Sequence, residues 1–82
     1  MAGKNFIMYG TDHCQYCMMA EQHIKAQGDT VTKYIVGRDV TKEEFTNIFP
    51  GVKTVPQIML DGNHIGGYDN LTESYNKSLL NG

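Results

Sequence analysis

Cys14 and Cys17 are the only two cysteines of the chain, and they stand three apart in Cys14-Gln15-Tyr16-Cys17. Thiols at i and i+3 on the first turn of a helix lie close enough to close a small disulfide ring. The same place offers unpaired backbone N–H groups and the positive end of the helix dipole, which favour a thiolate over a thiol. The chemistry that suits such a pair is thiol–disulfide exchange. Cys14, at the open end of the helix, is the candidate nucleophile. Cys17 lies one turn inside, on the face that carries Ala20 and Ile24, and is the candidate resolving thiol. A ring this small removes little entropy from the unfolded chain, so a stabilising staple is a poor account of the pair. A closed zinc site is a poor account too, because it needs four ligands and His23 falls about 240° round the helix from Cys17. His13, directly before Cys14, would favour the thiolate when protonated, and no metal site is expected.

The elements that must hold this pair can be read from punctuation and periodicity. Residues 5–9 form a short apolar strand before the cysteines, and a helix after them runs to about Gln27, with Gly28 beyond its end. Val31 to Val36 is β-branched and aromatic and reads as a second strand. Thr41 and Glu44 form a capping box, opening a helix that buries Phe45, Ile48 and Phe49 and stops at Pro50-Gly51. Gln57–Leu60 and His64-Ile65 flank Asp61-Gly62-Asn63, a tight hairpin signal. A last helix opens at Asp69 or Asn70, with Asn70 and Glu73 as a second box and Leu71, Tyr75 and Leu79 on one face. The five methionines read as core filler.

The order is βαβαββα, so the fold class is α/β: a small mixed sheet of four strands flanked by three helices, in one domain over residues 1–82. The cysteines then fall at the carboxyl end of the first strand, where such sheets place their sites. The formal charge of −2 and the lack of a Lys/Arg cluster argue against nucleic acid or a membrane surface as partner. The N-terminus lacks a signal-like apolar run, which makes a reducing, cytoplasmic setting the expectation.

Four features in this order, Cys14-Gln15-Tyr16-Cys17, Thr54-Val55-Pro56, Gly66-Gly67-Tyr68 and Asp69-Asn70-Leu71, make the chain resemble a small dithiol glutaredoxin of bacterial or phage type, within the thioredoxin fold. Each three-residue piece alone is weak; together and in order they are specific. The resemblance implies a glutathione-dependent oxidoreductase that reduces protein disulfides and glutathione mixed disulfides. Glutathione enters as co-substrate, with no tightly bound cofactor. Further implications are a monomer, disulfide-containing protein partners with ribonucleotide reductase as the family-typical target, and a cis Pro56 facing the cysteines.

The glutathione site would be built as follows. Tyr16 lines the cleft. Pro56 has no N–H and ends the ladder, so the N–H and C=O of Val55, beside Thr54, are left free to pair with an extended peptide. Gly66-Gly67 permit close approach, and the first N–H groups of the last helix receive a carboxylate. Asp69 or Asn70 holds the neighbouring γ-glutamyl ammonium, and Lys53 pairs with the glycyl carboxylate. Two positions depart from the family pattern: Gln15 stands where proline is usual, and Thr11 where Lys or Arg is common. The alternatives are a redoxin of the same fold reduced by thioredoxin reductase, or a module binding an iron–sulfur cluster between subunits.

Overall fold

The computed structural model describes residues 3–77. The elements are strand β1 (Asn5–Gly10), helix α1 (Gln15–Ala26), strand β2 (Thr30–Ile35), helix α2 (Lys42–Ile48), strands β3 (Gln57–Leu60) and β4 (Asn63–Gly66), and helix α3 (Tyr68–Asn76). They form one four-stranded sheet in the order β2-β1-β3-β4. β1 pairs parallel with β2 through the α1 crossover, and antiparallel with β3, which pairs antiparallel with β4. The βαβαββα order and mixed sheet are those expected from the punctuation of the sequence.

Alternation along β1 divides the core into two halves. Phe6 and Met8 point to one face, where they join Cys17, Ala20 and Ile24 of α1, Ile58 of β3 and Leu71 of α3 in a buried cluster. Burying each of the larger aliphatic side chains there is worth about 1.5–3 kcal/mol. Tyr9 points to the other face and meets α2, its ring 5.3 Å from that of Phe49 and 6.3 Å from that of Phe45. Helices α1 and α3 therefore cover one face and α2 the other. This places the carboxyl end of β1, where α1 begins, at one end of the sheet.

Three local expectations need correction. Ile48 is 41% exposed rather than buried, because α2 is only two turns long and Phe45 and Phe49 occupy its sheet-facing side. Met18 is 55% exposed beside the cysteines rather than in the core. The last helix starts earlier than the Asp69/Asn70 opening: Gly67 is its N-cap, and Asn70 sits at the third position with its Oδ1 accepting from Gly67 N at 3.2 Å. The Asn70–Glu73 box is thus not formed, since a capping box needs its first residue outside the helix. The Thr41–Glu44 box is present in both directions, at 2.8 and 3.0 Å. Leu79 lies outside the described residues.

Candidate functional site

Cys14 is the N-cap of α1, in extended backbone conformation, and Cys17 is the third residue of the helix. The Cys17 N–H donates to Cys14 Sγ at 3.1 Å. The sulfur of Cys14 thus takes the place that a Ser or Asp oxygen takes at other helix starts, and a thiolate is the better acceptor there. The two cysteines are joined as a disulfide, with Cα atoms 5.1 Å apart. Cys14 is half-buried and Cys17 only 5% exposed, which is the asymmetry expected of an attacking and a resolving thiol.

Gly10, the last residue of β1, makes room for this arrangement. A Cβ added there would come 2.6 Å from Cys17 Sγ. Gly10→Ala is expected to displace the Cys17 sulfur and destabilise the fold by about 1–3 kcal/mol, the usual cost of overpacking. Thermal melting checks the second effect. Dithiol-dependent turnover measured against single-thiol turnover checks the first, and the dithiol reaction should suffer more.

A cleft of about 280 Å³ opens beside the cysteine loop, lined by Tyr16, Thr54, Val55, Pro56, Gly67, Tyr68, Asp69 and Asn70. Seven residues marked in the sequence as candidate ligand contacts are gathered here from three separate segments. The Val55–Pro56 peptide is cis. Tyr16 and Tyr68 face each other across the cleft, ring centroids 5.9 Å apart. Tyr68 is a cleft residue that its motif alone does not assign; its place directly after two glycines at a helix start is the signal for it. Gly66 has φ +121°, and a Cβ there would come 2.6 Å from Asn70 Oδ1, so glycine is needed both for the backbone and for the Asn70 contact.

Lys53 does not line this cleft. It borders a neighbouring cavity of about 270 Å³ with Lys42, Thr11, Val36, Phe45, Thr46, Val52 and Val55. Val55 is the wall shared by the two. The cysteines themselves border a third cavity, of about 310 Å³, on the β2 side. There Met18 lies among Asp12, Glu21, Lys33 and Arg38. Hydrogen bonds from Lys25 and Lys33 hold the Glu21 carboxyl below its ordinary range. His13 is exposed in the turn before Cys14. His23 packs on the far side of α1 against Tyr75, ring centroids 5.1 Å apart. Among the described residues no group of three or more His, Cys, Asp or Glu gathers as a metal site would require, and no helix is long and apolar enough to cross a membrane.

The glutaredoxin family model matches residues 6–65, a span that holds both cysteines, the Thr54–Pro56 wall and nearly all of the sheet. The chain belongs to the glutaredoxin family. It is 35% identical over 81 residues to a glutaredoxin of Vibrio cholerae, covering 90% of this chain and 92% of that one. To glutaredoxin 3 of Escherichia coli it is 33% identical over 67 residues, covering 82% of this chain and 81% of the relative. The crystal structure of glutaredoxin 1 from Francisella tularensis superimposes with a TM-score of 0.76 at 26% identity, over 95% of this chain and 99% of that one. The fold is that of the thioredoxin-like glutaredoxins, and family and cysteine pair together make this chain a thiol–disulfide oxidoreductase.

Proposed function

We propose that this glutaredoxin is glutathione-dependent, attacking disulfides with Cys14 and resolving them with Cys17 or with glutathione. The observation that carries the reading is the Cys17 N–H held on Cys14 Sγ beside a cleft lined by Val55, whose N–H has no backbone partner among the described residues. In the first step the Cys14 thiolate attacks the glutathionyl sulfur of a mixed disulfide. A bond forms between the two sulfurs, and the target thiol leaves and takes up a proton. A second glutathione thiolate then attacks the glutathionyl sulfur on Cys14, releasing oxidised glutathione and restoring the thiolate. With a protein disulfide, Cys14 forms the mixed disulfide and Cys17 displaces the target, leaving the Cys14–Cys17 disulfide. Two glutathiones reopen it, and one oxidised glutathione leaves.

The glutathione backbone would lie along Val55, with its γ-glutamyl end at the start of α3. Gly67 gives that helix no side-chain cap, so its first N–H groups are open to a carboxylate. Asn70 Oδ1 is turned to Gly67, which leaves the Asp69 carboxylate as the partner for the ammonium group. Lys53, which borders the neighbouring cavity with Lys42 and Val55, would then be the partner for the glycyl carboxylate. A structural neighbour from buckwheat was crystallised as a glutaredoxin–glutathione complex, at 20% identity and with a TM-score of 0.75. Protein disulfides are the proposed partners, ribonucleotide reductase among them, in a cytoplasmic setting.

Two coupled assays test the reading. Supplied with glutathione and glutathione reductase, the protein should sustain disulfide turnover. Turnover sustained only by thioredoxin reductase would overturn the glutathione dependence. Asp69→Ala should raise KM for a glutathionylated peptide about tenfold or more with kcat little changed, since one hydrogen bond to a charged group is worth about 1.5–3 kcal/mol. Asn70→Ala should also lower thermal stability, because Asn70 secures Gly67. Unchanged kinetics in both variants would move the ligand elsewhere.

A further inference from the structure

Behind the cleft wall lies a hydrogen-bonded relay that the reaction scheme does not use. The Gln57 side chain is 5% exposed, and its Nε2 donates to Thr54 O at 2.9 Å and to Thr54 Oγ1 at 3.2 Å. Its Oε1 meets His64 Nε2 at 2.7 Å. Because the amide nitrogen is spent on Thr54, Oε1 faces the histidine as an acceptor, so His64 Nε2 must carry a hydrogen. The His64 ring is itself seated on Phe49, centroids 4.7 Å apart. A buried amide fully engaged in this way has one orientation available to it.

The consequence falls on the next peptide. The Thr54–Val55 bond is trans, so its N–H points opposite to its C=O. Gln57 draws the Thr54 carbonyl inward, and the Val55 N–H is thereby turned away from Gln57. That N–H has no backbone partner among the described residues, and Val55 lines the cleft. We infer that Gln57 and His64 are positioning residues for disulfide exchange: they fix the Thr54–Val55 peptide so that the Val55 N–H stands ready for the backbone of an extended thiol substrate. This rests on the proposed docking along Val55. Neither side chain touches the substrate; each acts through Thr54.

The test is a kinetic split across four proteins, using a glutathionylated peptide. Gln57→Glu is nearly isosteric but has no N–H to give Thr54 and sets a carboxylate against its carbonyl. His64→Phe keeps a ring on Phe49 but removes the donor, and His64→Gln returns an N–H. Expected are a rise in KM of about five- to tenfold for Gln57→Glu, the scale of one lost hydrogen bond, and a smaller rise for His64→Phe. Recovery toward wild type is expected in His64→Gln. In every variant kcat and the iodoacetamide reactivity of Cys14 should stay near wild type, which a general loosening of the fold would not allow. Amide NMR adds a direct reading: S-methylglutathione should shift the Val55 N–H in wild type and less in Gln57→Glu. Thermal melts establish that each variant is folded; His64 is an exposed residue, so its variants carry the test if Gln57→Glu is not. Wild-type KM in folded variants, or a fall in kcat with no change in KM, would overturn the inference. A wild-type protein that reduces a peptide disulfide but ignores the glutathionylated peptide would overturn the glutathione reading alone. The same KM comparison on that disulfide would then judge Gln57 and His64.

Discussion

Cys14→Ser should reduce both deglutathionylation and protein disulfide reduction to the uncatalysed background, while Cys17→Ser keeps the first and loses most of the second. The expectation follows from position. Cys14 Sγ caps α1 and receives the Cys17 N–H, so it is held where negative charge is stabilised and where a substrate sulfur can reach it. Cys17 is buried against Gly10 and reaches only a sulfur already attached to Cys14. Steady-state assays with both substrate types read the kinetic split. Mass spectrometry of Cys17→Ser incubated with oxidised glutathione should show one glutathionyl adduct on Cys14. At neutral pH, iodoacetamide should label reduced Cys14 faster than Cys17. Activity that survives in Cys14→Ser would remove Cys14 from the attacking role.

Asp29→Ala should cost the fold about 3 kcal/mol, enough to lower the melting temperature by roughly 15 °C in a chain of this size. Asp29 is 7% exposed just before β2 and accepts from Lys4 N at 2.8 Å and from the Tyr75 hydroxyl at 2.6 Å, with Lys4 Nζ at 3.7 Å. It therefore ties the start of β1 and the end of α3 to the turn after α1. Removing it strands two donors in a largely dry place. The same contacts make stability depend on pH. Burial alone would push the Asp29 carboxyl up, but the bonds from Tyr75 and Lys4 outweigh it and hold the group below the ordinary aspartate value of 3.8. Its stabilisation is therefore complete above that value and is lost as pH falls through the lower, folded value. Tyr75 behaves in mirror image: burial, then the Asp29 carboxylate, raises its hydroxyl, so its stabilisation holds below about pH 10 and fades only in strong alkali. Melts recorded between neutral and acid pH should converge for wild type and Asp29→Asn toward the acid end. Parallel curves would show that Asp29 is not the acid-labile group.

Much of the architecture was legible because local signals agreed with one another. The Thr41–Glu44 box, the Asp61-Gly62 turn and the break at Pro50-Gly51 each act within a few residues, and each sets its element where expected. A boundary that depends on a neighbouring element is not legible locally. Asn70 carries a good capping side chain, yet it lies inside α3, because the chain leaving β4 through Gly66 at positive φ turns Gly67 into the cap. Met18 and Ile48 look like core residues by type, but which side of a helix meets the sheet is set by how that helix crosses it.

The site divides along the same line. Two cysteines at helical spacing after a short strand point, on the sequence alone, to dithiol exchange, and helix-end electrostatics and burial inside the first turn, both local properties, make Cys14 the expected attacking thiol. The motif residues around Thr54 and Asp69 were visible as candidates because, in order with the cysteine pair, they resemble the glutaredoxin pattern. Only the tertiary structure decided how they meet. It gathers Tyr16, Val55 and Asn70 round one cleft, places Lys53 beyond Val55 with Lys42, and brings Gln57 and His64 together behind Thr54 across the β3–β4 pair. Such contacts depend on strand register and helix crossing. These are fixed by burial of the whole core, and no short stretch of sequence records them.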